Sequence, residues 1–142
     1  MSRVTSLTTA ATYGSALQSH DEVTATEGVG IVGDRHAGGV RQVTIVCTGE
    51  LMLAAAELGV DTIDGAATRR NIVVDCEQLP REHGSRIVIG DVELEVWRDC
   101  APCNLMDELF GDGARAALRQ RAGVSATVVR GGTIRVGDPV KL

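Results

Sequence analysis

The sequence predicts a mainly β fold: a β-barrel with two or three short peripheral helices, in one domain spanning residues 1–142. Three observations lead there. Short β-branched runs recur along the chain, each ended by glycine or an Asp/Gly pair. Seventeen glycines suit a compact sheet with tight corners. Segments of helical period are few, and a chain of this length buries roughly 68–70% of its unfolded surface, enough for one core.

The elements follow in order. "RQVTIVC", 41–47, is a β-branched strand bounded by "AGG" and "TGE". "GELMLAAAELG", 49–59, puts Leu51, Ala55 and Leu58 on one helical face and stops at Gly59. "NIVVD", 71–75, is a further strand. "RIVIGDVELEVW", 86–97, reads as a hairpin turning at Gly90-Asp91, with Val92, Leu94 and Val96 alternating against Glu93, Glu95 and Trp97. "NLMDELF" is a short helix, and 112–123 a longer one with Ala114, Ala117 and Leu118 inward. Residues 125–142 repeat strand, Gly-Gly, strand, Gly-Asp, strand. The alternation supports strands; closure of the barrel is an expectation.

Composition excludes several functions. Tyr13, Trp97 and Phe110 are the only aromatics, so the core is aliphatic. A net charge of −5 with so few rings argues against nucleic acid as a partner. No apolar run approaches the roughly 18 residues of a membrane span. The first twenty residues are too broken by Thr, Ser and Gly for a signal-peptide core. A cytoplasmic protein with reduced cysteines is expected.

The densest chemistry lies in "DCAPCNLMDELF", 99–110. Asn104 is a strong candidate N-cap with Asp107 at N3, which puts Cys103 at N′ beside the positive end of a helix. That position favours the thiolate, the form that attacks and binds metals. Cys100 lacks this advantage, and Cys47 and Cys76 read as core residues at strand ends. A zinc site requires more than one close ligand pair, whereas Cys47, Cys76, His20, His36 and His83 are scattered. A thioredoxin-like couple expects a βαβ context that is missing here.

Two polar clusters lie upstream. "GIVGDRHAGGVRQ" carries Asp34, Arg35, His36, Arg41 and Gln42 but lacks the Gly-Lys-Ser/Thr ending of a phosphate loop. His36 alone reads more readily as a hydrogen-bonded structural histidine than as a ligand. Glu50 opens the first helix, where a carboxylate complements the dipole. In "ATRRNIVVD", a strand starting at Asn71 turns Arg69 and Asn71 the same way, suited to an oxyanion or a planar heterocycle. A solvated charge pair is the alternative.

Taken in order, "GIVGDRHAG", "RQVTIV", the helix-opening glutamate, "RRNIVV", "IGDVELEV" leading to "PC", and "GGTIRVGDPV" resemble the MOSC family, the molybdenum-cofactor sulfurase C-terminal domain, in its small stand-alone bacterial form. The resemblance runs from about Gly30 to Leu142. It implies a β-barrel with peripheral helices. It also implies a bound molybdenum cofactor (molybdopterin), with Cys103 as metal ligand and reactive residue. Asp34, His36, Arg41, Glu50, Arg69 and Asn71 match the family's polar positions and are expected around a shared pocket. Either of two roles follows from the resemblance. One is reduction of N-hydroxylated compounds with a separate electron-transfer protein; the other is non-catalytic sulfur carriage on a Cys103 persulfide, fed by a separate desulfurase. Lys141 is the sole lysine, so no pyridoxal Schiff base is expected.

Overall fold

Strand β5, Val43–Cys47, is buried at all five positions, an outcome alternation alone does not give a one-sided strand. In the computed structural model, which describes residues 2–142, its alternate side chains face two different cores. Val43, Ile45 and Cys47 join the barrel interior, whereas Val46 packs into a second cluster with residues of the helices. Strand β6, Ile72–Val74, does the same: Ile72 and Val74 face inward and Val73 outward.

Around this pair the chain runs β1 Ser2–Thr9, β2 Gln18–His20, β3 Glu22–Thr26 and β4 Gly30–Ile31 before β5. Helix α1, Thr48–Leu58, and a 3-10 turn, Gly65–Thr68, lead into β6. Then come β7 Arg86–Ile89, β8 Val92–Asp99, α2 Asn104–Phe110, α3 Ala114–Ala117, β9 Val124–Arg130, β10 Gly132–Arg135 and β11 Pro139–Lys141. Seven strands close a barrel in the order β1, β11, β7, β8, β9, β5, β6 and back to β1. The latch is β1 on β11, with Ser2 opposite Val140 and Arg3 opposite Pro139. Among the described residues only β5 and β6 pair in parallel, and α1 supplies the crossover that parallel pairing requires. Strand β2 extends β1 outward, and β10, β3 and β4 form a separate three-stranded sheet. From that sheet Ile134, Val23, Ala25 and Ile31 complete the interior cluster.

The expected strands at 41–47, 71–75, 86–97 and 125–142 are all present, and the hairpin turns at Gly90-Asp91. Helix α1 ends as its sequence suggests: Gly59 is left-handed at φ 81°, and its N–H reaches the carbonyls of Ala55 and Ala56. Two corrections apply. Four strands before residue 32 escaped the sequence reading. The helix expected over 112–123 shrinks to Ala114–Ala117, although Ala114, Ala117 and Leu118 are buried as anticipated. The chain must leave it early to enter β9 beside β5. Gln120 turns left-handed at φ 58°, and Gly123 passes so close to the Ile45 carbonyl that no Cβ fits there. Among the described residues no helix is long and apolar enough to cross a membrane.

Candidate functional site

Three features meet near one end of β8: a thiol loop, a group of arginines, and a network of paired charges. The loop begins where β8 ends at Asp99. Cys100 is buried, and its N–H donates to the Gly123 carbonyl at 2.9 Å. Burial pushes its thiol upward, against the pull of Arg70 and Arg41. Cys103 is partly exposed, and three residues of chain separate it from Cys100 by at most about 11 Å.

Cys103 sits not at N′ but at the N-cap of α2, with no side-chain cap bond. The two side chains expected to cap that helix are engaged elsewhere. Asn104 Oδ1 accepts from Arg115 Nη1 at 2.6 Å, and Asp107 Oδ1 accepts from the Arg115 N–H at 2.8 Å. Both therefore fasten α3 to α2. The Cys103 side chain, partly exposed, makes no hydrogen bond to the helix it caps.

The arginine group gathers around Arg69. This residue caps the 3-10 turn in the left-handed region at φ 65°, a conformation costing a non-glycine residue on the order of 1–3 kcal/mol. Its Nε and Nη2 are buried and unpartnered among the described residues. Buried guanidinium nitrogens without acceptors are costly, so the position calls for an anion or an acceptor-rich ligand. Arg35 lies within electrostatic reach: burial and the neighbouring Arg69 and Arg70 weaken its hold on a proton, while Asp34 and Tyr13 strengthen it. Arg35 also stacks over the Tyr13 ring at 5.1 Å. Arg70 is partly committed, its Nε donating to the Ala122 carbonyl at 2.7 Å. Arg41 is exposed.

Strand β6 begins at Ile72, so the parity that paired Arg69 with Asn71 does not apply. Asn71 is buried and its amide is used by the fold. Its Oδ1 accepts from the Thr44 N–H at 2.9 Å and the Thr44 hydroxyl at 3.1 Å, while Nδ2 donates to the Thr8 carbonyl. It pins β1, β5 and β6 together just below the arginines.

Asp34 and His36 hold the preceding loop. Asp34 accepts from the Ala10 N–H at 3.1 Å and the His36 N–H at 3.1 Å, and His36 Nδ1 stands 3.2 Å from its carboxylate. Burial raises the Asp34 pKa, but the His36 ring and these two amides outweigh it and hold the carboxyl below its ordinary value. Glu50 is buried at the start of α1. It accepts from Cys47 Sγ at 3.1 Å, the Leu79 N–H at 2.9 Å and Arg81 Nη1 at 2.9 Å, and forms a second contact with Arg81 Nη2. Arg81 continues to Asp99 at 2.8 Å and so ties α1 to the root of the thiol loop. Arg81 had no sequence signal; nothing in "LPREHG" distinguishes it from a surface arginine. A cavity of about 720 Å³ opens beside the loop, lined by Asp99, Pro102, Asp107, Arg115 and Arg119 among others. Among the described residues, no three His, Cys, Asp or Glu side chains are grouped to hold a metal ion.

A model of the MOSC domain matches residues 32–141, most of the chain. The chain belongs to the MOSC domain family. The family is associated with molybdenum-cofactor binding. Among solved structures, the YuaD protein of Bacillus subtilis is similar at TM-score 0.82 and 22% identity, over 99% of this chain and 94% of that one. YiiM of Geobacillus stearothermophilus follows at TM-score 0.71 and 15% identity, over 99% and 74%. YiiM of Escherichia coli gives TM-score 0.67 and 18% identity, over 99% and 69%. At these identities the likeness shows the fold. No protein of curated function matches the sequence.

Proposed function

We propose that this MOSC domain binds the molybdenum cofactor, with the Cys103 thiolate as metal ligand and Arg69 as the principal anchor for the cofactor's phosphate. The observation carrying this reading is the pair of buried, unpartnered nitrogens on Arg69, backed by Arg35 and Arg70. Guanidinium nitrogens offer phosphate a planar, two-point hydrogen-bonding face. Thiolate is a soft donor of the kind such a metal takes, and Cys103 is the one partly exposed cysteine among the four. Asp34 and His36 would hold the loop carrying Arg35 in place, and Asn71 would fix the strands beneath Arg69. When bound, the cofactor would supply oxygen-atom removal from compounds such as N-hydroxylated bases, with electrons from a separate redox protein.

Expression in a cofactor-replete host followed by molybdenum and pterin analysis tests the reading. Wild type should carry both, Cys103→Ala should lose the metal, and Arg69→Ala should lose metal and pterin together. Wild type that is free of molybdenum, and gains none on reconstitution, would overturn it.

A second reading, sulfur carriage, is favoured by the same partly exposed Cys103, whose side chain makes no cap bond. Incubation with a desulfurase and cysteine should then add one sulfur to the mass, and Cys103→Ala should not gain it. An unchanged wild-type mass removes this alternative.

A further inference from the structure

Among the described residues two that are not glycine have left-handed backbones, Arg69 and Gln120. Arg69 belongs to the proposed cofactor site; Gln120, at φ 58°, takes no part in it. Glycine would adopt this conformation freely, whereas glutamine holds it under strain. The turn around Gln120 is fastened at both ends. The Leu118 N–H donates to the Ala114 carbonyl at 2.9 Å, and the Arg121 N–H to the Leu118 carbonyl at 2.8 Å. Beyond them the Ala122 carbonyl accepts from Arg70 Nε, and the Gly123 carbonyl from the Cys100 N–H. Arg119 and Gln120 are therefore fixed in backbone while their side chains are exposed.

Both residues line two cavities, one of about 390 Å³ and the one of about 720 Å³ beside the thiol loop. The other arginines of these cavities are already engaged. Arg81 is spent on Glu50 and Asp99, Arg115 Nη1 donates to Asn104, and Arg121 meets Glu57 and the Ala117 carbonyl. Arg119 is the exception: among the described residues its guanidinium has no ion-pair or hydrogen-bond partner. The carboxylates in the larger cavity are in use, Asp99 by Arg81 and Asp107 by the Arg115 N–H.

This inventory sets the chemistry of a ligand. A guanidinium beside a carboxamide offers a planar set of donors that fits a carboxylate. Two aspartates in the same wall oppose a doubly charged group such as phosphate, so one negative charge suits the cavity better than two. Ala101, Pro102 and Ala116 give the cavity an apolar side. We propose that Arg119 and Gln120 bind the carboxylate of a small organic monoacid whose apolar body rests against Ala101, Pro102 and Ala116. Binding requires no cofactor. A role for this acid as the substrate, held beside the thiol loop, rests on the proposed function; the binding itself does not.

The test is titration of the full chain, without added cofactor, with sodium benzoate, followed by amide-resolved NMR. Benzoate should shift the Arg119, Gln120 and Gly113 resonances saturably in the millimolar range, and neutral benzamide should not. Arg119→Ala should weaken binding about tenfold and Gln120→Gly about threefold, the loss of a charged and of a neutral hydrogen-bonding partner. Arg69→Ala should bind benzoate as wild type does, which separates this site from the phosphate anchor. Both Arg119 and Gln120 are exposed, so these variants are expected to fold. The proposal is overturned if wild type shows no saturable shift, or if benzamide shifts the same amides. Unchanged affinity in Arg119→Ala, or tighter binding of inorganic phosphate at these residues, would also overturn it. None of these results bears on whether the cofactor binds at Arg69 and Cys103.

Discussion

Arg81 and Arg69 are two partly buried guanidinium groups treated in opposite ways by the same fold. Arg81 meets Glu50 with both terminal nitrogens and Asp99 with its Nε. Arg69 keeps Nε and Nη2 buried with no acceptor, on a left-handed backbone. The first is finished by the protein and reads as architecture. The second is completed only when something else arrives. Burial of charge is thus a poor guide to function until the partners are counted.

Breaking the finished node should have the largest effect. Glu50→Ala leaves Arg81 partly buried without its main partner and is expected to cost about 3–5 kcal/mol, measured by chemical denaturation. Asp34→Asn should cost about 1–3 kcal/mol, because it weakens the bonds from His36 and Ala10. The same carboxylate predicts a pH dependence. Its folded-state pKa lies below the ordinary 3.8, so its contribution is present above that value and is lost as pH falls through the lower, folded one. Stability curves of wild type and Asp34→Asn should therefore converge in acid. If they stay parallel below pH of about 4, the carboxylate is not the group responsible.

Arg69→Ala sharpens the contrast, since it removes a group with nothing to lose. Its stability should stay within about 1 kcal/mol of wild type, while affinity for inorganic phosphate, followed by calorimetry, should fall. A loss as large as that of Glu50→Ala would mean that Arg69 is architecture too. Cys103→Ser should shift the thermal midpoint least, within about 0.5 kcal/mol equivalent, since the side chain is partly exposed and makes no cap bond.

What was legible in the sequence was local. The hairpin at 86–97 carries its own alternation and its own turn, and the end of α1 carries its own glycine. Strand β1 was not legible, because its two barrel partners, β6 and β11, are far away in sequence and "SRVTSLTT" interleaves Ser and Thr with only Val4 and Leu7 as large apolar residues. The site divides the same way. Pro102 and the helix start after it drew attention to Cys103, which does stand at the start of α2, yet the side chains expected to cap that helix had been taken by Arg115, which no spacing rule foretells. Asn71 looked like a ligand because it is polar beside arginines. Its actual partners, Thr44 and Thr8, are distant in sequence, and only the assembled barrel reveals that the amide is spent.

The pairing of the first strand with the last has a consequence for synthesis. Ser2 and Arg3 find Val140 and Pro139, and Arg3 reaches further to Asp75 and to the Gly137 carbonyl. A chain still emerging from the ribosome holds one half of this seam and waits for the other. Until residues 139–141 are free, β1 and β7 each present an open edge. Removing those few residues should therefore cost far more than their small buried surface, for it would leave every nascent molecule as an unrolled sheet.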